Sequence, residues 1–559
     1  MPDCKQPRPV CFYPAVALLA LILGCVQFLS IRGETQTYDE GVELAGGYAF
    51  LKTGEYRIQP EHPPLAKVLA ALPVLALGAS VPLDDPSWRD RKDVEFGGMF
   101  MFHNRVPADT MLLAARLPSI LFTIILAVAL ALWGERRLGA RAALIAMALF
   151  CLDPNVIAYG RYLKNDMLLT LLGFLTVIAW LSYLDRPQAW RLVLTGVLAG
   201  LACGTKFSAI FLFPALLCLY LLHWRGLARM IYSLAAVCLI AMVALAACYG
   251  PEAKALIPMT HSQRLANPGA IMLRDTVNQA TPGGKVAAWL GSRTGMRANP
   301  LAKGLLQLAE HNADGHDAFL MGMHSRTGWW YYFPVAFLVK TPVATLIAIL
   351  AACACLLLGR AKWQWSLLIP VLAYLPLCLS TNINTGERHL LPMYPFLFLI
   401  VGSAVASFRA VWLSGLALAL ALESFAIYPH YLAFFNVLVG GPGNGPTYLV
   451  DSNIDWGQDF RKLKRYMVEH KLDKICLCAL GTADTNYYDI GTEELMQVPD
   501  KQKLAETCVM AISATVLQGV YVENDPFGWL RKETPVAKVG YSIYVYDLRK
   551  SAEVLRPRR

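Results

Sequence analysis

Apolar runs long enough to cross a bilayer recur through the first three quarters of this chain, and they constrain its fold more than any motif does. About 20 consecutive apolar residues span the hydrocarbon as a helix. The spacing predicts spans at 11–30, 113–133, 141–159, 166–184, 191–204, 208–223, 230–249, 332–358, 365–380, 389–407 and 410–428, the fifth and sixth short enough to form one bent span. Only 16% of the 559 residues are charged and 56% are hydrophobic. The chain therefore reads as a mainly α, polytopic membrane protein of about eleven spans.

Orientation follows from the cations, because cytoplasmic connections carry the excess of Lys and Arg. Lys5 and Arg8, then Arg136, Arg137 and Arg141, then Arg186 and Arg191, then Arg225 and Arg229, then Arg360 and Lys362, then Arg409 fall on every second connection. This places the N-terminus in the cytoplasm and puts 31–112, 160–165, 251–331, 381–388 and everything after 428 on the outer side. The first run lacks a small-residue cleavage site and reads as a retained span rather than a signal peptide. A further apolar run at 65–81, opened by a double proline, reads as a partly inserted or interfacial helix. The net charge of +10 is spread over these connections instead of forming a patch, so a nucleic-acid partner is not expected.

Past residue 430 the hydrophobic runs become too short to span. A Gly/Pro-rich stretch at 440–446 reads as a linker, 459–470 as an amphipathic helix, and 474–480, 507–513 and 539–546 as strands. The expected organisation is a membrane domain over 1–430 and a small extracytoplasmic α/β domain over 431–559. Of the 14 cysteines, only Cys476, Cys478 and Cys508 lie in that tail. Either of the first two can pair with Cys508.

The chemistry concentrates just after the first span, where Thr37-Tyr38-Asp39-Glu40 is followed by Glu61-His62-Pro63-Pro64-Leu65-Ala66-Lys67. Acids beside a membrane span are costly and point to function. Group transfer from a lipid-borne phosphate suits these residue types. An acceptor hydroxyl needs a carboxylate base, and burial at the bilayer edge is expected to raise that carboxylate's pKa. The leaving phosphate needs cations, and Arg105, Arg116, Arg161, Lys164, Lys206, Lys340 and Arg388 fall near the outer ends of spans, against the positive-inside trend.

At these residues the chain resembles membrane-embedded transferases of the GT-C type, in particular glycosyltransferase family 39, which includes the protein O-mannosyltransferases and their lipid A aminoarabinose relatives. The Asp-Glu pair and the acidic-X-Pro-Pro-Leu element correspond to that family's two outer-loop motifs. His62 before the prolines follows the mannosyltransferases rather than the aminoarabinose branch, which tends to have lysine. The likeness continues through Arg116-Leu117-Pro118, Asp153-Pro154-Asn155, the stretch from Arg161 to Asp166, Gly328-Trp329-Trp330-Tyr331-Tyr332-Phe333, Lys340-Thr341-Pro342 and Gly386-Glu387-Arg388-His389. The segment Asp451-Ser452-Asn453-Ile454-Asp455-Trp456-Gly457-Gln458-Asp459 looks like a feature of bacterial members, with no chemical role evident. There is no room for the large β-trefoil insertion of the eukaryotic enzymes.

The resemblance implies an enzyme that moves a sugar from a polyprenyl-phosphate donor to a lipid, glycan or protein acceptor on the outer face of a bacterial inner membrane. Asp39 and Glu40 are its catalytic candidates. Glu61, His62, Arg116, Arg161, Lys164, Asp166, Lys340 and Arg388 are its donor-binding candidates, with Arg116, Lys164 and Arg388 in that order as phosphate partners. A divalent cation near Glu61 and His62 is the one cofactor expectation, although two ligands do not make a metal site.

Each motif also has a structural reading. Thr37 to Glu40 fits a capping box, the prolines start a helix, and Asp166 can cap the span it opens. Arg116 and Arg388 can be interface-snorkelling residues, and His324 a loop residue. The competing function is a lipid or glycan transporter with a charged path, against which stand the clustering of charges on one face and the lack of an inverted repeat.

Overall fold

In hydrocarbon every backbone N–H and C=O must find its partner within the segment, so uniformly apolar runs become helices. The computed structural model describes residues 11–250, 300–492 and 508–549. Lys5 and Arg8, part of the orientation argument, lie outside the described residues. Each of the eleven expected runs is helical. Among the described residues, Phe12–Ile31, Ala108–Leu138, Asn165–Asp185, Leu227–Tyr249 and Glu387–Val405 are long and apolar enough to cross a membrane, and six shorter apolar helices accompany them. This is the architecture of a multi-pass integral membrane protein.

Two expected spans are broken. The run 332–358 divides into Tyr332–Lys340 and Val343–Leu357, bent by 114°. Pro342 pushes the residue before it away from helical geometry, and Thr341 is extended (ψ 133°). The run 141–159 likewise stops at Cys151. Asp153 accepts hydrogen bonds from the Asn155 and Val156 amides at 2.8 and 3.1 Å and restarts the chain as the short helix Pro154–Tyr159.

The cation-bearing connections gather at one end of the helix array: Arg137 pairs with Asp185, Arg141 donates to the Phe408 carbonyl, and Arg225 reaches the Asp185 carbonyl at 3.5 Å. Beyond the first span, four helices (Glu40–Thr53, Leu65–Ala76, Pro86–Asp90 and Asp93–Phe102) build a subsidiary core around Leu44, Tyr48, Val74, Phe96 and Phe100. The first two touch backbone to side-chain position at Gly47, where a Cβ would stand 2.3 Å from the Lys67 carbonyl oxygen.

Strands β1 (Ala318–Leu320) and β2 (Met323–Ser325) form an antiparallel hairpin. Strands β3 (Cys476–Cys478), β4 (Val509–Ser513), β5 (Ala537–Val539) and β6 (Ile543–Asp547) form a sheet in the order β3-β4-β6-β5, with β3 parallel to β4 and the other pairs antiparallel. The single strand expected at 539–546 is instead a hairpin, because Gly540 and Tyr541 adopt φ of 62° and 66° and turn the chain. Cys476 is the residue bonded to Cys508, and Cys478 is free and half-buried. The residues after 430 do not stand clear of the helices: Tyr431, Phe434, Leu449, Ile454 and Trp456 share one hydrophobic core with the spans.

Candidate active site

The loop after the first span, the 160–166 connection, the 300–316 helix region, the 381–389 connection and the Asp451–Trp456 turn converge on a cavity of about 890 Å³. One part of its wall is apolar (Phe207, Ile210, Leu305, Leu308, Phe333 and Leu377), and the rest carries Asp39, Glu61, His62, Lys164, Lys206 and Arg388. Of the candidates read from sequence, Asp39, Glu61, His62, Lys164 and Arg388 line this cavity; Glu40, Arg116, Arg161, Asp166 and Lys340 do not.

Asp39 heads the Glu40–Thr53 helix, and Lys164 precedes the Asn165–Asp185 helix. Their side chains meet at 2.9 Å (Nζ to Oδ2), with Asp39 still 23% exposed to the cavity. Lys164 also holds Glu43 at 2.5 Å, one helical turn below Asp39 and fully buried. Burial alone would raise the Asp39 pKa, as expected from sequence, but the opposing charges of Lys164 and Arg388 outweigh it and hold the carboxyl below its usual range. The expected upward shift falls on Glu43 instead, where burial prevails over Lys164.

Arg388 faces this pair. Its Nε has no hydrogen-bond partner, and the Asp166 carboxylate stands 3.8 Å from Nη1. Asp166 is bonded at 2.5 Å to Lys206, so it lies behind the cations and not in the cavity. The Arg388 guanidinium rests 4.3 Å from the Trp456 ring centroid. A buried cation with an unfilled N–H beside two lysines is an anion site in its chemistry.

The other candidates lie outside the cavity and hold structural partners, although Arg161 keeps its Nε and Nη1 without one. Glu40 is fully buried and receives Arg116 in a two-point ion pair at 2.8 and 2.6 Å, together with the Thr37 and Leu163 amides at 2.8 and 2.9 Å. Only the glutamate half of the capping box forms, since the Thr37 hydroxyl has no partner. Arg161 is held by Glu34 at 2.9 Å and by Tyr162 at 3.1 Å. Lys340 donates to the Leu432 and Asn453 carbonyls at 2.8 and 2.6 Å and bridges the bent helix pair to the segment after 430. Arg116, first in the sequence order of phosphate partners, is thus the least available, and Arg388 the most.

Of the remaining wall, only Glu61 was read from sequence. Glu61 Oε2 stands 3.7 Å from His311 Nδ1; His311 Nε2 meets His316 Nδ1 at 3.0 Å, and His316 Nε2 meets the Tyr521 hydroxyl at 2.7 Å, which donates to Asp451. The interaction with His311 holds the Glu61 carboxyl below its usual range. Glu61 therefore works with His311 and not with His62. Among the described residues no three His, Cys, Asp or Glu side chains are grouped as a metal site would require. Glu43 had a usable signal, its spacing of four from Asp39 on one helix face. The two histidines had none, because nothing local links 311 and 316 to 61 or 521.

Residues 108–249 match the family model described as dolichyl-phosphate-mannose-protein mannosyltransferase. That segment supplies Lys164, Lys206 and Asp166 to the site. The resemblance carried by the sequence motifs is shared, over that quarter of the chain, by the family model. No curated protein sequence matches the chain. Among solved structures, ArnT from Cupriavidus metallidurans bound to undecaprenyl phosphate is similar at 14% identity and a TM-score of 0.47, over 96% of this chain and 98% of that one. The S. cerevisiae protein O-mannosyltransferase Pmt1-Pmt2 complex bound to the sugar donor is similar at 17% identity and a TM-score of 0.35, over 49% of this chain and 37% of that one. The arabinosyltransferase EmbB from Mycobacterium smegmatis gives 15% identity and a TM-score of 0.35, over 75% and 32%.

Proposed function

We propose that the chain is a membrane glycosyltransferase that moves a sugar from a polyprenyl-phosphate donor to an acceptor hydroxyl or phosphate, with Asp39 as general base. The observation that carries this reading is Asp39 itself, a cavity-facing carboxylate held by Lys164 and facing an arginine whose Nε has no partner. The other cavity carboxylates are committed elsewhere, Glu61 to His311 and Asp451 to Tyr521. The apolar wall suits the first isoprene units, and Arg388, Lys164 and Lys206 suit the phosphate.

In this reaction the acceptor oxygen attacks the anomeric carbon as its proton passes to Asp39. The bond from that carbon to the phosphate oxygen breaks, and the phosphate leaves with the electron pair from the opposite face. The configuration inverts, and no covalent sugar–enzyme intermediate is needed. Before the donor binds, Lys164 and Arg388 keep Asp39 ionised but weakly basic. The singly charged phosphodiester of the donor, placed between those cations, offsets part of their field, so Asp39 becomes a stronger base only when the donor is in place.

The test is Asp39→Asn, which keeps shape and removes the base. Loss of a general base costs about 10²- to 10⁴-fold in turnover. Purified variant that melts like the wild type yet transfers sugar at the wild-type rate would refute the assignment. Saturable binding of a nucleotide sugar, with none of a polyprenyl-phosphate sugar, would refute the donor class. Lipid, glycan and peptide acceptors in the same assay identify the acceptor.

A further inference from the structure

The segment Asp451 to Asp459 has no reacting group of its own in the proposed chemistry, yet it touches the segments that carry both Asp39 and Arg388. Its backbone pairs with the segment that delivers Asp39: Thr35 N donates to the Gln458 carbonyl at 2.9 Å, Thr35 Oγ1 to the Gly457 carbonyl at 2.8 Å, and Tyr38 N to the Trp456 carbonyl at 2.8 Å. Its start grips the connection that delivers Arg388: Ser452 Oγ donates to the Thr385 carbonyl at 2.7 Å, and the Glu387 amide donates to Asn453 Oδ1 at 3.0 Å. Lys340 and Tyr159 anchor it from below through the Asn453 and Ser452 carbonyls, at 2.6 and 2.9 Å. At the centre stands Trp456, with the Arg388 guanidinium 4.3 Å from its ring centroid, Lys164 Nζ 5.9 Å away and Tyr162 edge-on at 5.9 Å.

We propose that Trp456 is the positioning residue of this site: its indole face sets Arg388 against the donor phosphate while its carbonyl, bonded to Tyr38, sets Asp39 at a fixed distance from that arginine. The inference rests on the glycosyltransferase reading above. Its physical basis is that an arginine stacked on an aromatic face keeps its in-plane N–H groups free, whereas an arginine held by a carboxylate, as Arg116 is, has spent them. Stacking thus fixes the cation without competing with the phosphate for its hydrogen bonds. One rigid turn therefore couples the donor's anchor to the base, which a flexible loop could not do to within an ångström.

The experiment uses the full chain with Trp456→Leu, Trp456→Met and Trp456→Phe. Binding is read with polyprenyl monophosphate, which carries the phosphate and no sugar, and turnover with the polyprenyl-phosphate sugar. A desolvated cation–π contact is worth about a tenfold change, so leucine and methionine should weaken polyprenyl-monophosphate binding and raise the donor KM by about that factor, with kcat changed much less. Phenylalanine, which keeps a π face, should restore most of the loss. The charged groups facing Asp39 are Lys164, Arg388 and Asp166, with Glu43 across Lys164; as Arg388 drifts away, the acid limb of kcat/KM should move to higher pH. Unchanged KM and pH profile in the leucine variant overturn the positioning role, as does a loss that phenylalanine fails to restore. If leucine does not fold, methionine fills the volume without a π face and carries the same test. Wild-type protein that binds no polyprenyl monophosphate and transfers no sugar overturns the glycosyltransferase reading itself, a result distinct from either.

Discussion

Neighbouring residues in the first outer loop carry opposite duties. Glu40 accepts four hydrogen bonds in a fully buried pocket, so Glu40→Gln should act on folding: breaking a buried ion pair costs about 3–5 kcal/mol, read as a lower melting temperature in detergent. Arg388→Gln should do the reverse, leaving melting near the wild-type value and raising the donor KM tenfold or more, an effect of the size seen when one charged donor is lost. The same variant has a pH signature. Arg388 is one of two cations that depress the Asp39 pKa, so the wild-type acid limb set by Asp39 should lie below the ordinary value of 3.8 and rise toward it on Arg388→Gln. An acid limb that stays in place would separate Arg388 from Asp39. Sequence placed both acids and both arginines near the outer face but ranked Arg116 above Arg388. The ranking depends on which cation already has a partner, and Glu40 lies 76 positions from Arg116 in the chain.

Among the elements, the bend at Thr341–Pro342 has the clearest energetic consequence. It leaves Lys340 at the end of its helix beside the segment after 430, where its ammonium satisfies two buried carbonyls. Lys340→Met fills similar volume but strands both acceptors, at about 1–3 kcal/mol each, and should lower the melting temperature without a selective change in donor KM. A variant that melts normally and loses donor affinity would return Lys340 to the phosphate site. The helical runs themselves were legible in sequence because hydropathy alone drives them. The breaks were less so: Pro342 and Pro154 announce the positions, but the 114° angle depends on what the second helix finds to lie against. The strands at the C-terminal end were legible except at 540–541, where Gly540 is forced into a left-handed turn beside the Asp459 carboxylate, 2.3 Å from where a Cβ would sit.

For the whole molecule, Arg137, Arg141 and Arg225 gather at one end, and the orientation read from the cations predicts that this end is cytoplasmic. Single cysteines at the exposed positions Glu533 and Arg136, in a background free of other reactive thiols, test it. Labelling from outside intact cells should reach the first and miss the second; the opposite pattern inverts the topology. Class and helical runs were contained in local composition, because partitioning into a bilayer is a sum over neighbouring residues. The site was not. Lys164 shared by Asp39 and Glu43, the His311–His316–Tyr521 wall, and Trp456 under Arg388 join residues far apart in the chain. Whether a charged side chain is a free ligand or a spent structural partner is decided by the nearest opposite charge in space, and only the folded chain brings that charge into place.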